Sequence, residues 1–142
     1  MAEKIFLKNV EEMLAYGASL ANIFKPGNTV FLHGNLGAGK TTLIKGILQG
    51  FGYFGNVKSP TYTLMENYQP KENTQIYHYD LYRLSDPEEL EWMGIRDNFD
   101  GESISFLEWP EKGQGYLPHA THEIHIEYRD EGREVKFVKR EC

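Results

Sequence analysis

One glycine-rich segment constrains the fold of this chain more than any other feature. It runs from Gly34 to Thr41, reads GNLGAGKT, and matches G-x-x-x-x-G-K-[ST] at every fixed position. The apolar run TVFLH stands before it at 29–33 and predicts a short β-strand. After it, apolar residues recur at helical spacing: Leu43, Ile44, Ile47, Leu48 and Phe51. A strand, a glycine-rich turn and a helix in this order predict a P-loop, the segment that cradles nucleotide phosphates.

The residue types of this segment fit the chemistry of a phosphate site. Glycines let the backbone approach an anion closely, and the N–H groups at the start of a helix point toward it. The positions expected to contact the phosphates are Asn35, Leu36, Gly37, Ala38, Gly39, Lys40 and Thr41. The Lys40 ammonium is expected to reach the β- and γ-phosphates and to stabilise charge during hydrolysis. The Thr41 hydroxyl is the expected protein ligand of Mg²⁺.

A P-loop site also requires a carboxylate, usually at the end of a neighbouring strand, to hold the metal. Two residues meet this requirement: Asp80 ends the strand-like segment QIYHYD, and Glu108 lies near the end of SISFLEW. Alternation along a strand places His78 on the face of Asp80, where it either orients that carboxylate or is a core histidine. We therefore predict that both carboxylates belong to the metal site.

Weaker signals surround these motifs. The segment Ser59–Thr61 follows the P-loop helix, where NTPases place a loop that senses the γ-phosphate through a hydroxyl; the alternative is a plain turn. Trp109, next to Glu108, either shapes the nucleotide pocket or only packs. His119, His122 and His125 are spaced by threes, which alternates strand faces, so we expect no zinc site from this run.

The remaining patterns predict two helices. The pair Asn9–Glu12 has the spacing of an N-cap, and the helix that it starts is expected to end near Pro26–Gly27. The pair Ser85–Glu88 repeats this capping-box spacing and predicts a short helix around 86–93.

Two hairpins are predicted as well. The segments TYTLMENY (61–68) and QIYHYD (75–80) are joined by the turn-forming PKENT, and HEIHIEY and REVKFVKR flank Asp130–Gly132. Together these elements predict an α/β fold. It is a three-layer P-loop NTPase-like fold with a mixed, partly antiparallel central sheet and a C-terminal β-hairpin.

Composition limits the partners and the location. The 142 residues suit a single domain over 1–142, without a repeat or linker that would divide it. A formal net charge of -6 argues against a broad DNA- or RNA-binding surface, so any contact with tRNA is expected to be indirect. The only cysteine, Cys142, excludes an internal disulfide. The sequence shows no membrane span or signal peptide, so the cytoplasm is expected.

Four motifs in order, HGNLGAGKTTLIKG, SPTYTL, HYDLYRL and FLEWPE, closely resemble the TsaE family, formerly called YjeE. The resemblance spans essentially the whole chain. It implies a weak ATPase that uses ATP and Mg²⁺ in the biosynthesis of threonylcarbamoyladenosine in tRNA. It also implies the partner proteins TsaB and TsaD, and a role in forming the threonylcarbamoyl group on adenosine 37 of tRNAs that read codons beginning with A.

The resemblance also implies residue roles. Carried onto this sequence, Gly37–Thr42 hold phosphates, Thr41 and Glu108 resemble Mg²⁺ ligands, and Thr61 resembles a switch residue that acts in catalysis. Asp80 resembles the second acidic partner, which either contacts the metal or orients the attacking water. Two other functions share the P-loop: a nucleotide-sensing interaction module with negligible turnover, and a small-molecule kinase.

Overall fold

The computed structural model describes residues 2–140. Seven strands in this range form one mixed sheet, and helices pack against its faces. The predictions for Cys142 lie outside the described residues. The strands are β1 (Ala2–Leu7), β2 (Thr29–His33), β3 (Met65–Lys71), β4 (Thr74–Asp80), β5 (Ser103–Glu108), β6 (His122–Arg129) and β7 (Gly132–Lys139). Their order across the sheet is β1-β7-β6-β2-β5-β4-β3.

The centre of the sheet is parallel and both flanks are antiparallel. Strand β2 pairs in parallel with both β5 and β6, and β4 pairs in parallel with β5. The hairpins β3–β4 and β6–β7 are antiparallel, and β1 adds an antiparallel edge to β7. Because β2, β4 and β5 run in the same direction, their carboxyl ends meet at one edge of the sheet. The predicted α/β fold with a mixed sheet and a C-terminal hairpin is confirmed.

Two longer helices, α1 (Val10–Leu20) and α2 (Lys40–Gly50), cover one face of the sheet. They pack closely, since a Cβ placed on Gly46 of α2 would lie 2.5 Å from the carbonyl oxygen of Leu14 in α1. Under them lies the main core: Val30, Leu32, Leu43, Ile44, Ile47, Ile76, Ile104, Phe106, Ile124 and Val135 among others.

The other face is covered only in part. A short helix, α3 (Glu89–Trp92), and the 3-10 turns at 95–98 and 110–113 enclose a second, smaller core over β4 and β5. Its buried members are Tyr79, Leu81, Leu84, Leu90, Ile95 and Leu107. Over β6 and β7 the same face carries polar and charged side chains. Within residues 2–140 no helix is both long and apolar enough to cross a membrane.

Helix α1 begins as predicted and ends early. The Asn9 side chain accepts a hydrogen bond from the backbone N–H of Glu12 at 2.9 Å, which confirms the N-cap. The helix ends at Leu20 rather than near 26–27, because the chain tightens there into a turn in which the Ile23 N–H donates to the Leu20 carbonyl at 2.9 Å. Phe24 lies beyond the end of the helix and is buried against Phe106.

Strand β3 begins at Met65, so the prediction of a strand from residue 61 is wrong. A turn occupies 61–64, and it is closed by a 2.7 Å hydrogen bond from the Leu64 N–H to the Pro60 carbonyl. Leu64 has a left-handed backbone with φ of 71°, which a strand cannot contain. The residues around Thr61 are therefore loop rather than sheet.

One other local prediction needs correction, and one strand was not predicted. The predicted Ser85–Glu88 capping box does not form; the Glu89 carboxylate instead accepts from the N–H groups of Ser85 and Asp86, at 3.2 Å each. Helix α3 is accordingly shorter than 86–93. The edge strand β1 was not predicted, because only Leu7 among its six residues is buried and the segment lacks an alternating pattern.

Candidate nucleotide site

The glycine-rich loop (residues 34–41) leaves the end of β2 and enters α2 at Lys40. Gly37 and Gly39 take left-handed backbone conformations, with φ of 79° and 111°, which turn the chain tightly before the helix. The Lys40 side chain is buried, and its Nζ donates to the carbonyl oxygen of Gly34 at 2.7 Å. The loop therefore closes on itself through the lysine that the sequence assigns to phosphate.

The Lys40 ammonium contacts an aromatic ring and is attracted by the acidic strand ends. Its Nζ is 4.0 Å from the centroid of the Trp109 ring, a cation–π distance. Burial lowers the pKa of Lys40 from its ordinary value, while the carboxylates of Glu108, Asp80 and Glu111 oppose this shift. Trp109 reaches this position through a left-handed backbone, with φ of 58°, at the residue that follows β5. The tryptophan thus packs against the loop's lysine.

The end of β5 brings three predicted residues together. The hydroxyl of Thr41 donates to Oε2 of Glu108 at 3.0 Å, and Nε2 of His78 lies 2.6 Å from the same oxygen. Both Glu108 and His78 are buried. The acceptor is a carboxylate, so the ring nitrogen Nε2 donates to it. A threonine at the start of α2 and a carboxylate at the sheet edge are therefore in direct contact.

Of the two alternatives for His78, orientation of Asp80 is wrong, because the imidazole contacts Glu108 instead. His78 and Asp80 do share a face of β4, as alternation requires. However, β4 and β5 pair in parallel with His78 opposite Phe106 and Asp80 opposite Glu108. This register makes Glu108 the diagonal neighbour of His78 on the same sheet face, and the imidazole contacts the adjacent strand rather than its own. The sequence of one strand carries no information about that register.

The end of β4 is connected to the loop at 59–64. Oδ2 of Asp80 accepts a hydrogen bond from the Thr61 hydroxyl at 3.0 Å, and Oδ1 accepts from the Tyr82 N–H at 3.0 Å. The Ser59 hydroxyl lies 2.7 Å from the Thr61 hydroxyl, and the Asp80 N–H donates to the Leu64 carbonyl at 3.0 Å. Asp80 is buried, whereas Ser59 is exposed. The carboxylate thus organises an otherwise irregular loop.

The β6–β7 hairpin supports the glycine-rich loop through Tyr128 and Arg133, two residues that were not predicted from the sequence. The Tyr128 hydroxyl donates to the Gly37 carbonyl at 2.5 Å, and Nε of Arg133 donates to the Ala38 carbonyl at 2.8 Å. The Arg133 guanidinium lies 3.9 Å from the centroid of the Tyr128 ring. No local pattern could have identified this pair, because both side chains contact backbone carbonyls more than ninety residues away.

A cavity of about 460 Å³ adjoins the loop, which is within the size range of small-molecule sites. It lies between the β1–α1 junction, the loop and the turn of the β6–β7 hairpin. Its lining combines apolar side chains with backbone and polar groups, including Leu7, Asn9, Val10, Met13, Gly37, Ala38, Gly39, Thr42 and Arg133. Neither Asp80 nor Glu108 lines it, so the cavity is separate from the acidic edge of the sheet.

The predicted site residues therefore fall into one contiguous region with different degrees of contact. Lys40, Thr41, Glu108 and Trp109 form one cluster, in which Lys40 and Glu108 are buried, and Thr61 contacts Asp80 beside it. The loop tip at 35–37 is exposed, with Leu36 at 61% of its full exposure.

Comparison with known proteins places the chain in a family. The family model described as threonylcarbamoyl adenosine biosynthesis protein TsaE matches residues 7–136. The tRNA threonylcarbamoyladenosine biosynthesis protein TsaE of Haemophilus influenzae is 53% identical over 131 residues, which cover 89% of this chain and 82% of that protein. The protein of the same name from Bacillus subtilis is 37% identical over 131 residues, with coverages of 92% and 81%.

A solved structure gives the same result at the level of the fold. The crystal structure of Bacillus subtilis YdiB matches with a TM-score of 0.81 and 31% sequence identity, over 98% of this chain and 86% of that one. The family model spans most of the chain, and the relatives match it almost throughout. The chain therefore belongs to the TsaE family.

Proposed function

We propose that this protein binds ATP with Mg²⁺ and hydrolyses it weakly, and that it acts with TsaB and TsaD. In this proposal the three proteins are together required to form the threonylcarbamoyl group on adenosine 37 of tRNAs that read codons beginning with A. The observation that carries the proposal is the contact of Thr41 with Glu108 at 3.0 Å, since the carboxylate in this contact also attracts the Lys40 ammonium and opposes the lowering of the Lys40 pKa. Family membership supports the biosynthetic role.

The residues present fit a Mg²⁺ ion. This ion prefers oxygen ligands and is usually bound by one or two carboxylates together with phosphate oxygens. The Thr41 hydroxyl and the Glu108 carboxylate are the two oxygens that would bind it directly, and Asp80 would bind it directly or through water. When bound, Mg²⁺ would neutralise charge on the phosphoryl oxygens.

The chain's own residues supply the rest of the site. The N–H groups of the glycine-rich loop, with those of Thr41 and Thr42 at the start of α2, bind the phosphates. Lys40 exchanges its hydrogen bond with Gly34 for the β- and γ-phosphates and stabilises the charge that develops during transfer. Asp80, held by Thr61, orients the attacking water. Trp109 excludes water from Lys40 and contacts the nucleotide.

The cavity beside the loop is the place for the adenine base in this proposal. It opens next to Gly37–Thr42, so a nucleotide whose phosphates lie on the loop can extend into it. Apolar contacts from Val10 and Met13 suit the faces of a purine ring. Arg133 lines the same cavity and holds the loop at Ala38, so it connects the base site to the phosphate site.

Replacing Lys40 tests the phosphate assignment. Lys40→Ala removes a charged hydrogen-bond donor worth about 1.5–3 kcal/mol, so ATP affinity should fall by about 10- to 100-fold in calorimetry. Lys45→Ala is the matched control, because Lys45 is an exposed lysine of the same helix and should leave affinity unchanged. Equal ATP affinity in the Lys40 variant and the wild type would refute the phosphate site.

A second function, a nucleotide-sensing interaction module with negligible turnover, is favoured by one observation. Next to Thr61, Tyr62 is 82% exposed and is supported by Arg83, whose guanidinium lies 4.4 Å from the ring centroid. An aromatic side chain presented by a loop that hydrogen-bonds Asp80 suits a contact that depends on the nucleotide state. Phosphate release by this chain alone, and then with purified TsaB, TsaD and tRNA, distinguishes the two. Turnover that stays negligible in both conditions favours the module.

A further inference from the structure

The open face of the sheet brings together three side chains that play no part in the proposed nucleotide site. Strands β2 and β6 pair in parallel with His33 opposite His125 and Phe31 opposite Glu123. Paired residues share a face, and alternation adds Glu123 to the face of His125. The three side chains therefore gather at the end of β2, on the side away from α1 and α2.

Their geometry is compact. Nε2 of His33 lies 2.8 Å from Oε1 of Glu123, and the rings of His33 and His125 stack with centroids 4.5 Å apart and planes 14° from parallel. One possible ligand atom from each of the three lies within 4.8 Å of the others. All three are half-buried, so small rotations of the side chains can bring these atoms around one ion while water completes its coordination.

We propose that His33, Glu123 and His125 form a binding site for a transition-metal dication of the Zn²⁺ class. Two imidazole nitrogens and one carboxylate oxygen are a donor set that Zn²⁺ accepts, with water in the fourth position. Imidazole favours Zn²⁺, Cu²⁺ and Ni²⁺ over Mg²⁺, so this site and the acidic edge select different ions. The ion joins β2 to β6 immediately before the glycine-rich loop and stabilises the fold.

Charged side chains near the three ligands affect metal binding in two opposite ways. Nε of Arg140 donates to Oε2 of Glu123 at 2.5 Å, which leaves Oε1 for the contact with the His33 imidazole. Such a partner orients a metal-binding carboxylate. The positive charge of Arg140, and that of Lys136 opposite His125, works against a cation. Glu127, two residues beyond His125 on the same face, offsets part of this charge. We therefore expect affinity below that of a buried structural zinc site.

The sequence run His119, His122 and His125 does not form this site. His122 is buried on the helix-covered face, where it packs against Phe24 and Phe137, and His119 is exposed outside the strand. The spacing by threes places His122 and His125 on opposite faces, as predicted. The partners of His125 are His33 on β2 and Glu123, two residues earlier on β6. A tertiary arrangement replaces the sequence pattern.

Calorimetric titration with Zn²⁺ tests the site, in a Cys142→Ser background that removes the only thiol and with Mg²⁺ in excess. One ion should bind per chain. Glu123→Gln and His125→Ala should each lower Zn²⁺ affinity by at least about tenfold, as the loss of one metal ligand requires. His119→Ala is the matched control and should leave the titration unchanged.

Two further measurements separate a metal site from a structural contact. Zn²⁺ should raise the melting temperature of the background protein but not that of the Glu123 and His125 variants. Urea unfolding of all variants in the presence of a chelator shows whether each is folded before metal is added. The proposal is overturned if no saturable Zn²⁺ binding occurs, or if folded Glu123→Gln and His125→Ala bind Zn²⁺ as tightly as the background.

Discussion

The two acidic strand ends of this protein lie side by side and are supported in opposite ways. Glu108 and Asp80 are register partners at the ends of β5 and β4. Glu108 is held by Thr41 of helix α2 and by the buried His78, so its surroundings are regular elements of the core. Asp80 is held by the hydroxyl of Thr61 and the N–H of Tyr82, both of which belong to irregular segments.

The different supports of Glu108 and Asp80 suggest different roles for the two carboxylates. A group fixed by helix and sheet is preorganised, and it is in the right place before any ligand arrives. A group that organises a loop can change its partners when the loop moves. We infer that Glu108 supplies the constant part of the site, the metal ligand. We infer that Asp80 supplies the part that responds to the γ-phosphate.

The largest effect is expected at Glu108. Glu108→Gln keeps the shape but replaces a charged oxygen ligand with a neutral amide, so the Mg²⁺ concentration needed for ATP binding should rise at least about tenfold. Hydrolysis should require the same additional Mg²⁺. ATP affinity measured over a Mg²⁺ titration checks this. A shift for Asp80→Asn without one for Glu108→Gln would reverse the comparison.

At Asp80 the expected loss is in turnover. Asp80→Asn should lower phosphate release in single-turnover reactions by about 10- to 100-fold, because the loss concerns an interaction made in the transition state. Affinity for ATP at saturating Mg²⁺ should change little. Were the variant to lose affinity and turnover in parallel, Asp80 would act as a binding residue like Glu108.

A smaller effect is expected at Thr61. Thr61→Val keeps the volume but removes the hydroxyl that donates to Asp80, a hydrogen bond worth about 1–2 kcal/mol, so turnover should fall by roughly 5- to 30-fold. Thr63→Val is the control, since Thr63 is an exposed threonine of the same loop. Similar turnover for the two variants would show that the loop hydroxyl does not orient Asp80.

The smallest effect on nucleotide chemistry is expected at His78. His78→Ala removes a buried hydrogen bond to Glu108, so the Mg²⁺ requirement should rise by roughly threefold, less than for Glu108→Gln. The cavity that it leaves should lower thermal stability as well. If stability falls while the Mg²⁺ requirement per folded molecule stays at the wild-type value, His78 is a core residue only.

Local patterns predicted the parts of the site that lie in one stretch of chain. The motif at 34–41 predicted the tight turn and the positions of Lys40 and Thr41 at the start of the helix, since these depend only on residues a few positions away. Strand endings likewise predicted that Asp80 and Glu108 lie at the ends of two strands, where the structure places them side by side. The same local reasoning failed at Thr61, where a buried aspartate and a left-handed Leu64 replace the expected strand with a loop.

Contacts between distant segments were beyond any local pattern. The sequence placed His78 correctly on the face of Asp80, yet its partner is Glu108, because strand register fixes which neighbour lies within reach. Tyr128 and Arg133 gave no signal in the sequence, and only the return of the hairpin beside β2 places them on the glycine-rich loop.

The linear sequence was enough to predict the glycine-rich motif expected to bind phosphate, the α/β class, both hairpins and the family that the comparisons confirm. These rest on short-range periodicity, turn chemistry and spacing, which are properties of a linear chain. Only the packed fold shows which groups contact Glu108, which contact Asp80, and that His33 lies beside His125 and Glu123. Those choices follow from sheet order and register, which are set by packing the whole core rather than by any one segment.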